Sequence, residues 1–128
     1  MEIFYDNIEQ LTLDNTNFRK VVFTGEHSQL VLMSLLPKEE IGQEVHTNVD
    51  QFFRFELGVG KVIAGDKEIA VKDGDAVVIP AGTTHNIVNT SETDSLKLYT
   101  IYSPANHPEG TIHITKADAD AAETAEHH

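Results

Sequence analysis

The sequence predicts an all-β protein, either a sandwich or a closed barrel, that ends in one short helix. Short runs rich in β-branched and aromatic residues follow one another along most of the chain. Turn-forming residues separate these runs at close and regular spacing. No helical pattern alternates with them, as it does in a βαβ fold.

The predicted strands, taken in order, occupy most of the chain up to residue 104. We expect six to eight of them. A polar turn at 25–28 separates the first two, a loop at 37–44 follows the second, and Gly65–Asp66 forms a hairpin turn. The strand-forming runs are FRKVVFTG, QLVLMSLLP, FFRFELG, KVIAGDKEIAV, DAVVIP, HNIVN and SLKLYTIYSP.

The C-terminal tail is the segment with a helical pattern. Thr115 is placed to cap its N-terminus, with Asp118 in the reciprocal position three residues later. The chain ends at His127 and His128, to which we assign no role. The thin apolar stripe of this helix consists of Ala117, Ala121 and Ala125.

Composition limits the possible partners. A chain of 128 residues is expected to form one domain, and 21 acidic against 9 basic residues give a net charge of −12. That charge repels phosphate backbones and anionic lipids, so neither nucleic acid nor a membrane is an expected partner. The absence of cysteine excludes disulfides and thiolate sites. The N-terminus MEIFYDNIEQ does not resemble a signal peptide, and we therefore expect a cytoplasmic protein.

Association is predicted from the N-terminal segment. Strand edges within residues 1–22 are expected to be exposed and to pair with a second copy of the chain. On the outward face of a later strand, Phe52 and Arg54 add an aromatic ring and a cation. We therefore expect a homodimer that uses the N-terminal strands.

A candidate metal site comes from residues in two separate stretches. Glu44 and His46 stand two positions apart, on one face of a strand, and Gln51 heads the next strand. His85 opens a later strand after a Pro-x-Gly turn. Two imidazoles and a carboxylate are the ligand types of a facial-triad site for a divalent metal. Alternatively, Glu44 and His46 are solvated loop residues and Gln51 bonds a backbone carbonyl.

The stretch 74–89 carries a resemblance to a known family. GDAVVIPAGTTHNIVN fits G-x5-P-x-G-x2-H-x3-N, which resembles the second motif of the cupin superfamily. Aligned on Gly58, the first cupin motif places Glu44 and His46 at its two histidines and Gln51 at its glutamate. EVHTNVDQFFRFELG and YSPANHPEGTIHITKADA are also similar to small single-domain bacterial cupins of the mannose-6-phosphate isomerase-like kind.

The resemblance implies a jelly-roll β-barrel with a metal near its centre, often as a dimer. It implies one cupin domain over residues 1–128, with N-terminal strands in 1–36, a motif-bearing core in 37–103, and a C-terminal loop and helix in 104–128. A small-molecule ligand is expected inside the barrel.

The implied ligand set departs from the usual three histidines and one glutamate. Glu44, His46, Gln51 and His85 provide two imidazoles, one carboxylate and one amide, so the formal ligand charge stays at −1. Two oxygen and two nitrogen donors favour one divalent ion of Mn, Fe, Co, Ni or Zn over Cu(I). Gln51 is either a weak fourth ligand or a group that bonds a metal-bound water.

Several nearby side chains receive other interpretations. Asp50 is expected to bond a backbone amide, and Arg54 to face outward. Phe53 and Phe55 are expected in the core beside Gln51. Three side chains are possible pocket groups: Tyr99, Tyr102 and Glu56. Two histidines, His107 and His113, are expected to be surface residues of a late loop.

Three functions fit these observations. The first is a metalloenzyme of the oxygenase kind that acts on a small chelating substrate. The second is sugar isomerase or epimerase chemistry, as the family resemblance suggests, although no basic pocket for a sugar phosphate is evident. The third is a ligand-binding or sensory protein without turnover. The four lysines considered for such a pocket are spaced surface charges: Lys61, Lys67, Lys72 and Lys97.

Overall fold

The computed structural model describes residues 2–126, so His127 and His128 lie outside the described residues. It contains nine strands and two helices, one strand more than the expected six to eight, because a pair of residues near the C-terminus forms an additional short strand. The elements are α1 Ile8–Asp14, β1 Arg19–Thr24, β2 Gln29–Leu35, β3 Asp50–Leu57, β4 Val59–Ala64, β5 Lys67–Lys72, β6 Ala76–Ile79, β7 His85–Asn89, β8 Leu96–Ser103, β9 Ile112–His113 and α2 Lys116–Glu126.

The strands form two antiparallel sheets, which confirms the predicted all-β jelly roll. The larger sheet has the order β6-β3-β8-β2-β1-β9, and the smaller has the order β5-β4-β7. The chain crosses from one sheet to the other after β3, β5, β6 and β7, and the apolar residues of the inner faces meet in one core. Fully buried members of this core include Phe53, Phe55, Val62, Ile87 and Leu98.

Close approach between strands requires a glycine at one position in the smaller sheet. A Cβ on Gly60 would lie 2.6 Å from the carbonyl oxygen of Val88 on β7 and 2.8 Å from Cδ2 of Leu96 on β8. The first of these neighbours is backbone and has little freedom to move. The absence of a side chain at Gly60 therefore allows β4 to lie close to both β7 and β8.

The C-terminal helix α2 begins with the predicted capping arrangement. Asp118 N donates to Thr115 Oγ1 at 3.1 Å, and Thr115 N donates to the Asp118 carboxylate at 3.4 Å. Ala119 is buried against the core.

The N-terminal segment differs from the sequence-based prediction, because it contains helix α1. Asn7 caps this helix by accepting a hydrogen bond from Gln10 N at 2.9 Å. At the other end, Lys97 Nζ donates to the carbonyls of Leu13 and Asn15 at 3.0 and 2.7 Å. The helix lies against β2, β3 and β8. The expectation of a helix only in the tail was therefore wrong, since seven residues carry too little periodicity to show one.

The expectation of exposed strand edges within residues 1–22 is also wrong in part. β1 is not an edge, because it pairs with β2 on one side and with β9 on the other. Residues 2–7 precede α1 without forming a strand. Neither helix of the described chain has the length and apolar character needed to cross a lipid bilayer.

Candidate functional site

The two stretches that carry the candidate ligands lie side by side. Glu44 N donates to His85 O, and His85 N donates to Glu44 O, both at 2.8 Å. Residues paired in this way project their side chains to the same face. Gly82, at φ 82°, adds a 2.8 Å hydrogen bond from its N to the carbonyl of His46. The Pro-x-Gly turn therefore holds the stretch that contains His46, in addition to leading into β7.

This pairing brings Glu44, His46 and His85 together. His46 Nε2 lies 3.0 Å from Glu44 Oε2, and the imidazole centroids of His46 and His85 are 5.6 Å apart. His46 Nε2 is buried, and Glu44 Oε2 is the polar atom that faces it. The carboxylate and the imidazole therefore form a close pair, and two donor atoms at this separation are near enough to bind one ion together.

The ionisation of Glu44 and the tautomer of His85 suit them to metal binding. Burial acts to raise the pKa of the Glu44 carboxyl, but its close pairing with His46 and the charge of Arg19 outweigh it, so this pKa lies below its usual range. His85 Nδ1 lies 2.9 Å from the carbonyl oxygen of Thr83. Because a carbonyl only accepts, Nδ1 carries the proton and Nε2 keeps its lone pair.

Gln51 is buried on β3 beside the phenylalanines with which it was predicted to share a face. Its Nε2 donates to Thr100 Oγ1 at 3.0 Å, so its partner is a hydroxyl and not the backbone carbonyl of the alternative interpretation. Its Oε1 is buried and has no hydrogen-bond partner among the described residues. The amide is therefore held by its nitrogen, while its oxygen remains available.

Among residues 2–126, no three His, Asp or Glu side chains lie close enough together, as they are placed, to form a metal-binding group. Two imidazoles bound to the same ion would have centroids roughly 5 Å apart, given a metal–nitrogen distance of about 2.1 Å. The 5.6 Å between His46 and His85 is close to that value. The backbones of Glu44 and His85 are already paired, and that of His46 is held by Gly82.

A cavity of about 350 Å³ opens beside Glu44 and His46. His107 borders it and is not the surface residue that the sequence predicted. Its ring packs edge-on against Tyr102 at 5.1 Å, and Nε2 lies 3.2 Å from the Tyr102 hydroxyl. Burial, with help from the positive charge of Arg19, lowers the pKa of His107 to about 3. His113 also borders the cavity and contacts Arg19, so both histidines were wrongly placed.

Gln29 holds the loop that carries His107. Its Oε1 accepts from Asn106 N and His107 N at 3.1 and 3.0 Å, and its Nε2 donates to the carbonyl of His107 at 2.8 Å. Gln29 is itself 1% exposed. Sequence reasoning missed these contacts because Gln29 appears there as an ordinary polar residue at the head of a strand.

Of the remaining candidate residues, Asp50 and Tyr102 lie where the sequence predicted, whereas Tyr99 and Glu56 do not. Asp50 accepts from Ala81 N at 2.8 Å, as a turn carboxylate was expected to do. Tyr102 borders His46, with ring centroids 5.9 Å apart. Tyr99 and Glu56 do not join the site. Tyr99 lies near the ring of Phe52, and Glu56 lies 3.1 Å from the outward-facing Arg54.

The asparagine that ends the second motif has a structural role. Asn89 Nδ2 donates to the carbonyls of Leu35, Leu36 and Asp94 at 2.9 to 3.1 Å, and its Oδ1 accepts from Ser91 N. It is 0% exposed. The side chain therefore joins three segments of the barrel and does not face a pocket.

Comparison with known proteins agrees with this architecture. The family model described as "Cupin domain" matches residues 31–102, more than half of the chain. The chain belongs to the cupin family. This cupin is 52% identical over 126 residues to YrkC of Bacillus subtilis strain 168, covering 94% of this chain and 67% of YrkC. It is 47% identical over 118 residues to L612 of Acanthamoeba polyphaga mimivirus, covering 90% and 74%.

A solved structure shares both sequence and fold with this cupin. BH2720 from Bacillus halodurans is 46% identical, with a TM-score of 0.91 and coverage of 94% of this chain and 95% of that one. The names of these relatives carry no activity. The mannose-6-phosphate isomerase-like subtype therefore stays a prediction.

Proposed function

We propose that this cupin binds one divalent transition metal through Glu44, His46 and His85, with Gln51 as fourth contributor, and acts as a metal-dependent enzyme of the oxygenase kind. The substrate is a small chelating organic molecule in the adjoining cavity. The observation that carries the proposal is the approach of Glu44 Oε2 to His46 Nε2 at 3.0 Å, with the His85 imidazole centroid 5.6 Å from that of His46.

The available donor atoms support a metal at this place. The buried oxygen of Gln51 has no hydrogen-bond partner among the described residues, which is unfavourable by about 1–3 kcal/mol unless something binds it. His85 contributes a further lone pair, since its other nitrogen bonds Thr83. Two nitrogens, one carboxylate and one amide oxygen suit Mn, Fe(II), Co, Ni or Zn.

Two uncharged side chains, Tyr102 and His107, lie beside the proposed donor atoms at neutral pH. Burial raises the pKa of the Tyr102 phenol above its usual range, so this hydroxyl remains a hydrogen-bond donor. His107 stays neutral beside it. A bound divalent metal would supply Lewis acidity and, if redox-active, electrons for dioxygen. The chain then orients the substrate through these neutral groups, and Glu44 contributes the only carboxylate of the donor set.

The direct test is metal binding followed by oxygen uptake. Metal-stripped protein is dialysed against Mn, Fe(II), Co, Ni and Zn, and bound metal is measured by elemental analysis. We expect one ion per chain, released on acidification below about pH 6, where imidazole takes up a proton. Oxygen uptake is then followed with catechol and acetylacetone, a chelating diol and a chelating enol. Protein that retains none of the five metals would contradict the proposal.

We also propose that the chain forms a homodimer through its N-terminal segment and the adjacent sheet edge. Ile3 and Tyr5 are 79% and 93% exposed, while Phe4 between them packs near Phe23 on β1. On the edge strand β9 and just after it, Ile112 and Ile114 are 53% and 67% exposed. Four large apolar side chains at one end of the larger sheet support burial against a second copy.

A further inference from the structure

One cation borders the cavity beside the proposed metal site. Arg19 is the single lysine or arginine among the described residues that line it. Arg19 begins β1 and pairs with Met33 on β2 and His113 on β9. Because cross-strand partners share a face, its side chain lies on the inner face with the buried Met33.

The guanidinium of Arg19 is buried and one of its nitrogens lacks a partner. The residue is 7% exposed, and its Nε is buried without a hydrogen-bond partner among the described residues. Nη1 donates to His113 Nδ1 at 3.2 Å, and the guanidinium carbon lies 5.3 Å from the ring centroid of Phe18. The Tyr102 hydroxyl and the Glu44 carboxylate also interact with this guanidinium, which leaves the Nε donor to be satisfied. Burying such a charge is costly unless a partner offsets it.

Besides Arg19, the titratable side chains that line the cavity are two carboxylates, Glu44 and Glu123, and three histidines, His46, His107 and His113. His107 is neutral at physiological pH and offers no second positive charge. Tyr102, which contacts His107, is protonated. Glu44, at the metal-site end, is ionised and repels a second negative group close to it. The described lining therefore has one cation, Arg19, and two carboxylates, Glu44 and Glu123, so Arg19 is the place in it where a negative group is attracted.

We propose that Arg19 is the anion-binding residue of this cavity and that the ligand is a small organic carboxylate. Its carboxylate pairs with the guanidinium of Arg19, and its remaining polar group points toward Glu44, His46 and His85. This inference rests on the proposed function for the cavity and adds the class of substrate. An arginine fork matches a carboxylate through two parallel hydrogen bonds.

Size and charge favour a carboxylate over a phosphate. A volume of about 350 Å³ is near the lower limit of ligand pockets, which indicates a small molecule. A phosphate ester brings close to two negative charges, whereas the cavity offers one arginine and also contains Glu44 and Glu123. The net charge of −12 further opposes polyanions.

The experiment compares matched charged and neutral ligands. Binding of lactate and of propane-1,2-diol, its neutral counterpart, is measured by calorimetry on wild-type protein, with acetate against acetamide as a second pair and inorganic phosphate as a third probe. We expect each carboxylate to bind at least about tenfold more tightly than its neutral partner, which corresponds to about 1.4 kcal/mol. Phosphate should bind more weakly than lactate.

Variants assign the difference to Arg19. Arg19→Met should remove the preference for carboxylates, and Arg19→Lys should retain part of it. Lys20→Met, which removes the neighbouring charge from β1 outside the cavity lining, should leave the preference unchanged. Should Arg19→Met fail to fold by circular dichroism, Arg19→Lys and the wild-type comparison still decide the matter. Equal binding of charged and neutral partners, or tighter binding of phosphate, overturns the inference.

Measurement of metal content separates this inference from the proposed function. A wild-type protein that binds metal but does not prefer carboxylates disproves the role of Arg19 and leaves the metal site intact. A protein that prefers carboxylates through Arg19 but binds no metal supports the role of Arg19 and contradicts the proposed metal site. If Arg19 only balanced the charge of Glu44, Arg19→Met would lower stability without changing the preference.

Discussion

Glu44 and His85 exchange both backbone hydrogen bonds, at 2.8 Å each, although they lie in stretches far apart in the sequence. Together with the antiparallel bridge between Glu40 and Val88, this pair sets the register between the two motif-bearing stretches. It places their side chains on one face, and His46 reaches Glu44 from two positions further along. A shift of one residue would turn these side chains to the opposite face.

The metal-site variants give the first prediction. His46→Ala and His85→Ala each remove a nitrogen donor, and we expect metal affinity to fall at least about 100-fold. Gln51→Ala should weaken it by about tenfold, since an amide oxygen is the weakest of the four donors. The measurement is equilibrium dialysis. His27→Ala is the matched control, because His27 lies 3.7 Å from Glu26 in an exposed pair. Full metal affinity in His46→Ala would place the site elsewhere.

Gln51→Glu tests the same site by gain of charge. It adds a second buried carboxylate near Glu44, so the metal-free variant should be less stable than wild type. With metal, the extra negative donor should tighten binding and restore stability. Thermal unfolding with and without metal measures both effects. A variant that is equally stable in the two conditions argues against metal at Gln51.

The pH dependence of stability follows from His107. Because the folded-state pKa is lowered to about 3 from the ordinary 6.5, the unfolded chain binds one more proton between these values. Stability is therefore fully present above pH 6.5 and is lost as the pH falls toward 3. The loss from this group is at most about 1.4 kcal/mol per pH unit. The charged and titratable groups that face His107 are Arg19, Glu44, His113 and His46.

His107→Gln should remove this contribution while keeping a neutral polar group beside Tyr102. Urea unfolding at several pH values between 3.5 and 6.5 measures the slope for both proteins. The slope should be shallower in the variant, by up to about one proton. Replacement of the exposed His27 by glutamine should leave it unchanged, and identical slopes in His107→Gln and wild type would show that His107 titrates normally in the folded protein.

Gln29→Leu tests the anchor of the loop. The change leaves Asn106 N, His107 N and the His107 carbonyl without their partner, and each buried unpaired group costs about 1–3 kcal/mol until the loop opens to water. We expect a destabilisation of roughly 2–4 kcal/mol and faster hydrogen exchange at these two amides. Gln10→Leu, on the exposed face of α1, is the control and should change stability little. Unchanged exchange at Asn106 and His107 would refute the anchor.

Association is predicted to depend on the N-terminal apolar side chains. The double variant Ile3→Ser, Tyr5→Ser removes two exposed apolar groups and should convert dimer to monomer or weaken the dimer at least about tenfold. Sedimentation velocity over a range of concentrations measures this. Ile69→Ser on β5 serves as the control, because Ile69 is exposed on the other sheet. A wild-type protein that sediments as a monomer throughout disproves the dimer.

The strands and the motif residues were predictable because they depend on local patterns. Alternation identified Gln51, Phe53 and Phe55 as one inward face, and the second motif identified the turn that Gly82 forms. The ends of the cavity were not predictable in this way. The burial of His107 depends on hydrogen bonds from Gln29, a residue on a distant strand.

The role of Arg19 was not predicted, although its position in the sequence indicates that it is buried. In FRKV, Arg19 and Val21 occupy alternate positions of one strand, and both are buried. A cation at an inward position is unusual and indicates a partner inside the barrel. The sequence does not reveal that β9 places His113 beside it, because a two-residue strand has no pattern of its own.

The two ends of the cavity are anchored independently, and this has an evolutionary consequence. Backbone pairing holds Glu44 and His85, whereas Gln29 holds the loop of His107 and Tyr102 contacts its ring. Under the proposed function, mutations in this loop would change which molecule fits while the proposed donor atoms stay in register. A lineage with this arrangement would then be able to diversify its ligands through one loop without losing the proposed ion site.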